Sequence, residues 1–130
     1  MTPDQLKFAK THEWVALDPA TKVATVGLSA FALEALTDLV YVDLPKVGAR
    51  VLAGESFGEI ESVKAVSDLY SPVDGEVTAS HAELSDALDT LKSDPYGAGW
   101  LVKIKLSGDA LPADLLTYAA YQKQCAEEQH

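Results

Sequence analysis

Apolar positions in this chain come in short runs that alternate with polar residues, and glycine, proline or aspartate closes most of them. His12-Glu13-Trp14-Val15-Ala16-Leu17 gives alternating bulk, and Val23-Ala24-Thr25-Val26-Gly27-Leu28 resumes it after Asp18-Pro19-Ala20. Two β-rich runs around a turn containing proline predict a hairpin. Ser29 then supplies a helix N-cap, and Phe31, Leu33, Ala35 and Leu36 fit a short helix ending before Asp38. Residues 39–44, with β-branched Val40 and Val42 around Tyr41, run up to Pro45 and predict a strand. Short strands at Val51-Leu52 and Glu76-Val77-Thr78 are separated by glycines and by the turn Ser71-Pro72-Val73-Asp74-Gly75. One or two helical turns are expected within residues 84–91, a turn at Asp94-Pro95-Tyr96-Gly97, and a strand over 100–106. Residues up to about Lys10 are polar enough for a loose lead-in. The tail changes period, with Leu115, Leu116, Ala119, Ala120 and Lys123 at helical spacing, so a helix over about 113–127 should pack one face on the β domain.

The stretch 59–70 organises the rest. Its residues mirror about Lys64-Ala65: Val63 answers Val66, Ser62 answers Ser67, Glu61 answers Asp68 and Ile60 answers Leu69. A hairpin with a two-residue tip would set those pairs opposite one another and leave Lys64 at the tip. A helix is the rival, because Phe57, Ile60, Val63, Val66 and Leu69 recur every third residue. That spacing drifts from the helical repeat of about 3.6 residues, and the mirror favours the hairpin.

With 130 residues and 48% hydrophobic content, one compact domain over 1–130 is expected, its core about 6–107. A formal net charge of −10 opposes nucleic acid or anionic membrane as partners. No run approaches the ~20 apolar residues of a membrane span, and the opening lacks a secretory pattern. These features predict a soluble, intracellular chain. A single cysteine, Cys125, allows no internal disulfide, and His12, His81 and His130 show no ligand spacing. Nothing in the sequence forms a complete active site, so no catalytic residue and no metal is expected.

Glu61-Ser62-Val63-Lys64-Ala65-Val66-Ser67-Asp68 resembles the lipoylation segment of the glycine cleavage system H proteins. His12-Glu13-Trp14, Val40-Tyr41-Val42-Asp43-Leu44-Pro45, Ser71-Pro72-Val73 and Asp94-Pro95-Tyr96-Gly97 match that family in the same order. The resemblance implies a mainly β fold, a flattened barrel or sandwich of the lipoyl and biotinyl type, with a short helix in the N-terminal half and a C-terminal helix. It implies lipoate in amide linkage to Lys64, and a carrier that performs no chemistry of its own. The aminomethyl group of glycine would pass from glycine decarboxylase (P-protein) to aminomethyltransferase (T-protein), with dihydrolipoamide dehydrogenase (L-protein) reoxidising the arm. A lipoate ligase or a lipoyl/octanoyl transferase would install the group.

By the same resemblance, Glu13 and Asp68 would accept hydrogen bonds from the loaded arm's amine. Glu61 and Asp68 would flank the turn with negative charge and orient a basic surface on the ligase or partner enzymes. Ordinary roles stand beside these: Glu13 as a solvated strand residue, Asp68 as an edge-strand charge, and Trp14, Tyr96 and Trp100 as packing. The chain departs from the family at Ala35, where many members carry a cleft histidine, and at His81, Leu88 and Lys92. Those departures leave room for a paralogue that relays lipoate to other enzymes or serves another lipoate-dependent pathway. A biotin carrier fits less well, because Val63 and Ala65 replace the methionines beside its lysine. An unmodified β binding module is the alternative from another class. A cytoplasmic, bacterial-type setting is expected, and a processed mitochondrial form would look the same.

Overall fold

The computed structural model describes residues 3–36, 38–108, 111–112 and 114–128. Among these residues, ten strands form two antiparallel sheets. Strands β1 (Lys7–Phe8), β2 (Glu13–Asp18), β3 (Val23–Leu28), β5 (Arg50–Val51), β8 (Gly75–Ser80), β9 (Val102–Leu106) and β10 (Leu116–Thr117) build one, in the order β10-β1-β2-β3-β9-β8-β5. Strands β4 (Leu39–Asp43), β6 (Ser56–Ser62) and β7 (Val66–Tyr70) build the other, in the order β4-β6-β7. Neither strand order closes on itself, so the expected fold takes the sandwich form.

Three apolar clusters hold the layers. Val15, Ala24, Val26, Val77, Val102 and Ile104 are buried at alternating positions of the larger sheet, as a half-buried strand requires. Ile60, Leu69 and Val42 of the smaller sheet pack with Leu28, Leu33, Leu84, Leu91 and Leu101. Leu33 comes from α1 (Ala30–Leu36) and Leu91 from α2 (Asp89–Ser93). Ser29 caps α1 as expected, its Oγ accepting from Ala32 N at 3.3 Å. Gly58 is demanded by close approach, since a Cβ there would lie 2.1 Å from the Asp43 carbonyl oxygen. His81, one of the departures, stacks on Trp100 with ring centroids 4.3 Å apart, and its Nδ1 lies 2.7 Å from Trp100 O.

The third cluster overturns the loose lead-in. Leu6 and Phe8 are buried with Trp14, Tyr121 and Cys125. Phe8 stacks on Tyr121 at 4.4 Å between ring centroids. β1 pairs with both β2 and β10, so partners far along the chain hold a segment that has no alternation of its own. The C-terminal helix α3 is Tyr118–Glu128, shorter at its start than expected. Leu116 and Thr117 are taken by β10, and Thr117 Oγ1 accepts from Ala120 N at 3.2 Å, which caps the helix there. Ala113 and His130 lie outside the described residues.

Candidate functional site

The stretch around Lys64 is a hairpin, as the mirror predicted, but its register is offset. Glu61 pairs with Val66, Ile60 with Ser67 and Glu59 with Asp68, which centres the turn between Val63 and Lys64 instead of between Lys64 and Ala65. Ser62 is the reason. Its N–H donates to Ala65 O at 2.8 Å, and its Oγ accepts from Ala65 N at 3.1 Å. A serine that binds the main chain across a turn closes it locally. An irregularity between Ser56 and Gly58 shifts the register again at the hairpin's far end, where Ser56 pairs with Tyr70. Val63 N donates to Asp38 O at 3.0 Å, tying the tip to the segment that leads into β4. Residues 63–66 are all exposed, Val63 at 67% and Val66 at 58%.

The offset changes which charges are neighbours. Asp68 faces Glu59, and Glu59 faces Asp43 on its other side, so three exposed carboxylates form one cross-strand row. Glu61 does not oppose Asp68; it lies half-buried between Tyr41 and Val66. Like charges set opposite each other in a sheet are destabilising. Tyr41 and Val66 meanwhile give the neighbouring row, next to Lys64, an exposed apolar character.

Beside β7 lies a cavity of about 370 Å³. Leu28, Phe31, Leu36, Ile60 and Leu69 give it apolar walls, with Ala35 among them. Its polar lining is Thr11, His12, Ser67, Asp68, Tyr70 and Glu128. Lys64 and this cavity share one hairpin. Asp68 stands four residues beyond Lys64, on β7.

Glu13 is not a solvated strand residue, for its accessible surface is 0%. Its carboxyl lies one contact behind the cavity wall: the Thr11 hydroxyl donates to Oε1, and Tyr70 N donates to Oε2 at 3.1 Å. Burial outweighs these donors and pushes the carboxyl up to about 7. Thr11 and Tyr70 are both neutral, so the groups that hold Glu13 leave its charge without a counterion.

His12 adopts φ +84°, which breaks the alternation ahead of β2 and brings its side chain to the cavity with that of Thr11. Its Nδ1 lies 2.7 Å from Tyr121 Oη and its Nε2 3.1 Å from Glu128 Oε1. Tyr121 Oη in turn lies 2.5 Å from Ser29 Oγ. Neither His12, Tyr70 nor Glu128 could be placed at the cavity from the sequence, because the contacts join chain ends and an edge strand. The only hint was the position of His12 immediately before Glu13.

A lysine exposed on a hairpin tip of a two-sheet β fold is the arrangement that the sequence resemblance implied for a domain of the lipoyl-carrier class. Within that class, the sequence profile described as "Glycine cleavage H-protein" matches residues 6–128. A glycine cleavage system H protein from Rhodopirellula baltica is 58% identical over 127 residues, covering 96% of each chain. One from Thermobifida fusca is 55% identical over 119 residues, covering 92% of this chain and 91% of the relative. The crystal structure of a glycine cleavage system H protein from Mycobacterium marinum superposes with a TM-score of 0.87 at 39% identity, covering 96% of this chain and 99% of that one. The chain belongs to the glycine cleavage H-protein family.

Proposed function

We propose that the chain is the lipoate carrier of glycine cleavage, with Lys64 as the point of attachment. It moves the aminomethyl group of glycine from glycine decarboxylase to aminomethyltransferase, and dihydrolipoamide dehydrogenase returns the arm to its oxidised state. The observation that carries this reading is an exposed lysine on a hairpin whose return strand lines an apolar cavity bordered by carboxylates. In amide linkage to Lys64 Nζ, lipoate supplies a dithiolane on a long flexible arm, and the residues of this chain fit that group. Ser62 holds the turn so that the Lys64 amine projects into solvent, open to a lipoate ligase or a lipoyl/octanoyl transferase.

Leu28, Phe31 and Leu69 offer the hydrocarbon arm a dry wall, which removes apolar surface from water. Asp68 on that wall accepts hydrogen bonds from the cargo's ammonium. Burial raises the Glu13 carboxyl to about 7 and leaves its ionised form without a counterion, a charge that the cargo's ammonium at Thr11 and Tyr70 would balance. Both contacts keep the cargo from water between partners. Glu61 and Asp68, with Glu59 and Asp43 beside Asp68, present negative charge near the tip to basic partner surfaces. The chain itself catalyses nothing in this scheme. Residues 1–130 act as one carrier unit, and its setting is the cytoplasm. Among the described residues no helix is long and apolar enough to cross a membrane.

Intact-mass measurement after co-expression with a lipoate ligase tests the attachment. One lipoyl group should be gained and map to Lys64, and Lys64→Arg, which keeps the charge but offers no primary amine, should gain none. Modification of the arginine variant at the wild-type level, or no gain by the wild type, would remove Lys64 from this role.

A further inference from the structure

Glu128 is a second carboxylate on the cavity, and it comes from α3, an element the tip hairpin does not touch through any of the contacts described above. It is built in place. Gln124 Nε2 donates to Glu128 Oε2 at 2.8 Å and to Lys10 O at 2.8 Å, so the last turn of α3 is tied to the loop before β2. Glu128 Oε1 meets His12 Nε2 at 3.1 Å. The His12 ring is fixed in turn by stacking on Phe31, with ring centroids 5.4 Å apart, and by Tyr121 Oη at its Nδ1.

Burial pushes the Tyr121 hydroxyl far up, so it keeps its proton. Ser29 Oγ, Tyr121 Oη, the His12 ring and the Glu128 carboxyl thus form one continuous hydrogen-bonded chain. Two donors, Gln124 first and then His12, hold the Glu128 carboxyl below its ordinary range, so it stays ionised. A relay from the N-cap of α1 therefore ends on an oriented carboxylate at the cavity. Ala35, on the same cavity, has no polar atom with which to contribute to that end.

We propose that Glu128, oriented by His12, is a binding residue for the cargo's ammonium, completing with Asp68 a pair of carboxylates supplied by α3 and β7. The proposal rests on the carrier function above, and Glu128 acts only once the arm is loaded. The apolar walls take the hydrocarbon, and carboxylates from two separate elements take the charge. The cargo thereby bridges the hairpin to the C-terminal helix. His12 is a positioning residue, acting through Glu128.

The test uses the full lipoylated chain, its arm reduced with a phosphine and loaded with ammonia and ¹³C-formaldehyde. One thiol, formaldehyde and ammonia give an aminomethyl thioether and water, and release by water returns the thiol, formaldehyde and ammonia. Glu128→Gln should release formaldehyde about ten-fold faster than wild type, the size expected for losing a hydrogen bond to a charged group. His12→Asn, which suits the left-handed backbone there, should give a smaller acceleration in the same direction. The amine's pKa, followed by the ¹³C shift of the labelled methylene, should fall in both variants, a change that a merely structural role would not produce. Wild-type release rates and an unmoved amine pKa in Glu128→Gln would overturn the proposal. Absence of the lipoyl mass gain in the wild type would instead strike at the carrier reading itself.

Discussion

The two ends of the hairpin solve opposite problems. At the tip, residues 63–66 are exposed and the turn is held by hydrogen bonds within a four-residue span, so little but Ser62 and the Asp38 carbonyl supports Lys64. At the base, β7 leans on Glu13, whose carboxyl is fully buried, and the wall opposite is braced by an aromatic cluster drawn from both ends of the chain. In the proposed function, a site of covalent attachment has to be reached by an enzyme, and a resting place for the arm has to exclude water. The chain would meet both needs with one hairpin, leaving its turn bare and anchoring its return strand through the buried Leu69 and the Tyr70–Glu13 hydrogen bond.

That contrast can be broken most strongly at the aromatic cluster. Phe8→Ala removes a fully buried ring stacked on Tyr121, and denaturant unfolding should show a loss of about 3–5 kcal/mol. Where the variant remains folded, modification of Lys64 should proceed as in wild type, because the tip does not depend on that cluster. A loss within measurement error would mean that Phe8 contributes no packing.

Glu13 sharpens the comparison through pH. Its folded-state pKa lies near 7, above an ordinary value of 4.5, so the folded state binds the proton more tightly than the unfolded chain does. Its stabilising contribution is complete below about pH 4.5 and is lost as pH rises through about 7, by up to about 3 kcal/mol. Subtracting the stability of Glu13→Gln from that of wild type at each pH should leave a difference that falls across this window. A flat difference would show that the carboxyl is not desolvated. The smallest effect belongs to the tip: Ser62→Ala should cost about 1 kcal/mol in unfolding free energy and slow modification of Lys64 by loosening the turn.

Much of the fold was legible because local chemistry sets it. The Asp18-Pro19 turn between β2 and β3, the Ser29 cap and the Ser71-Pro72 turn all use residues within a few positions of each other. Lys64 at a hairpin tip was legible for the same reason. Other features answer to distant partners. Phe8 sits in a two-residue strand whose neighbours include β10, and no periodicity can show in two residues. Glu128 reaches the cavity only because α3 packs near His12. The register was misjudged for a subtler reason: a mirror in residue type weighs every cross-strand pair equally, whereas one serine bonded to the main chain outweighs them.

Because Ser62 clamps the end of β6, the height and direction of Lys64 are gauged from the strand end and not from the midpoint of the segment. A residue inserted inside that clamp would part Ser62 from Ala65 and break the hydrogen bonds that close the turn. The position of Lys64 is therefore set by a four-residue unit, so the two strands can vary in length without moving the lysine off the tip.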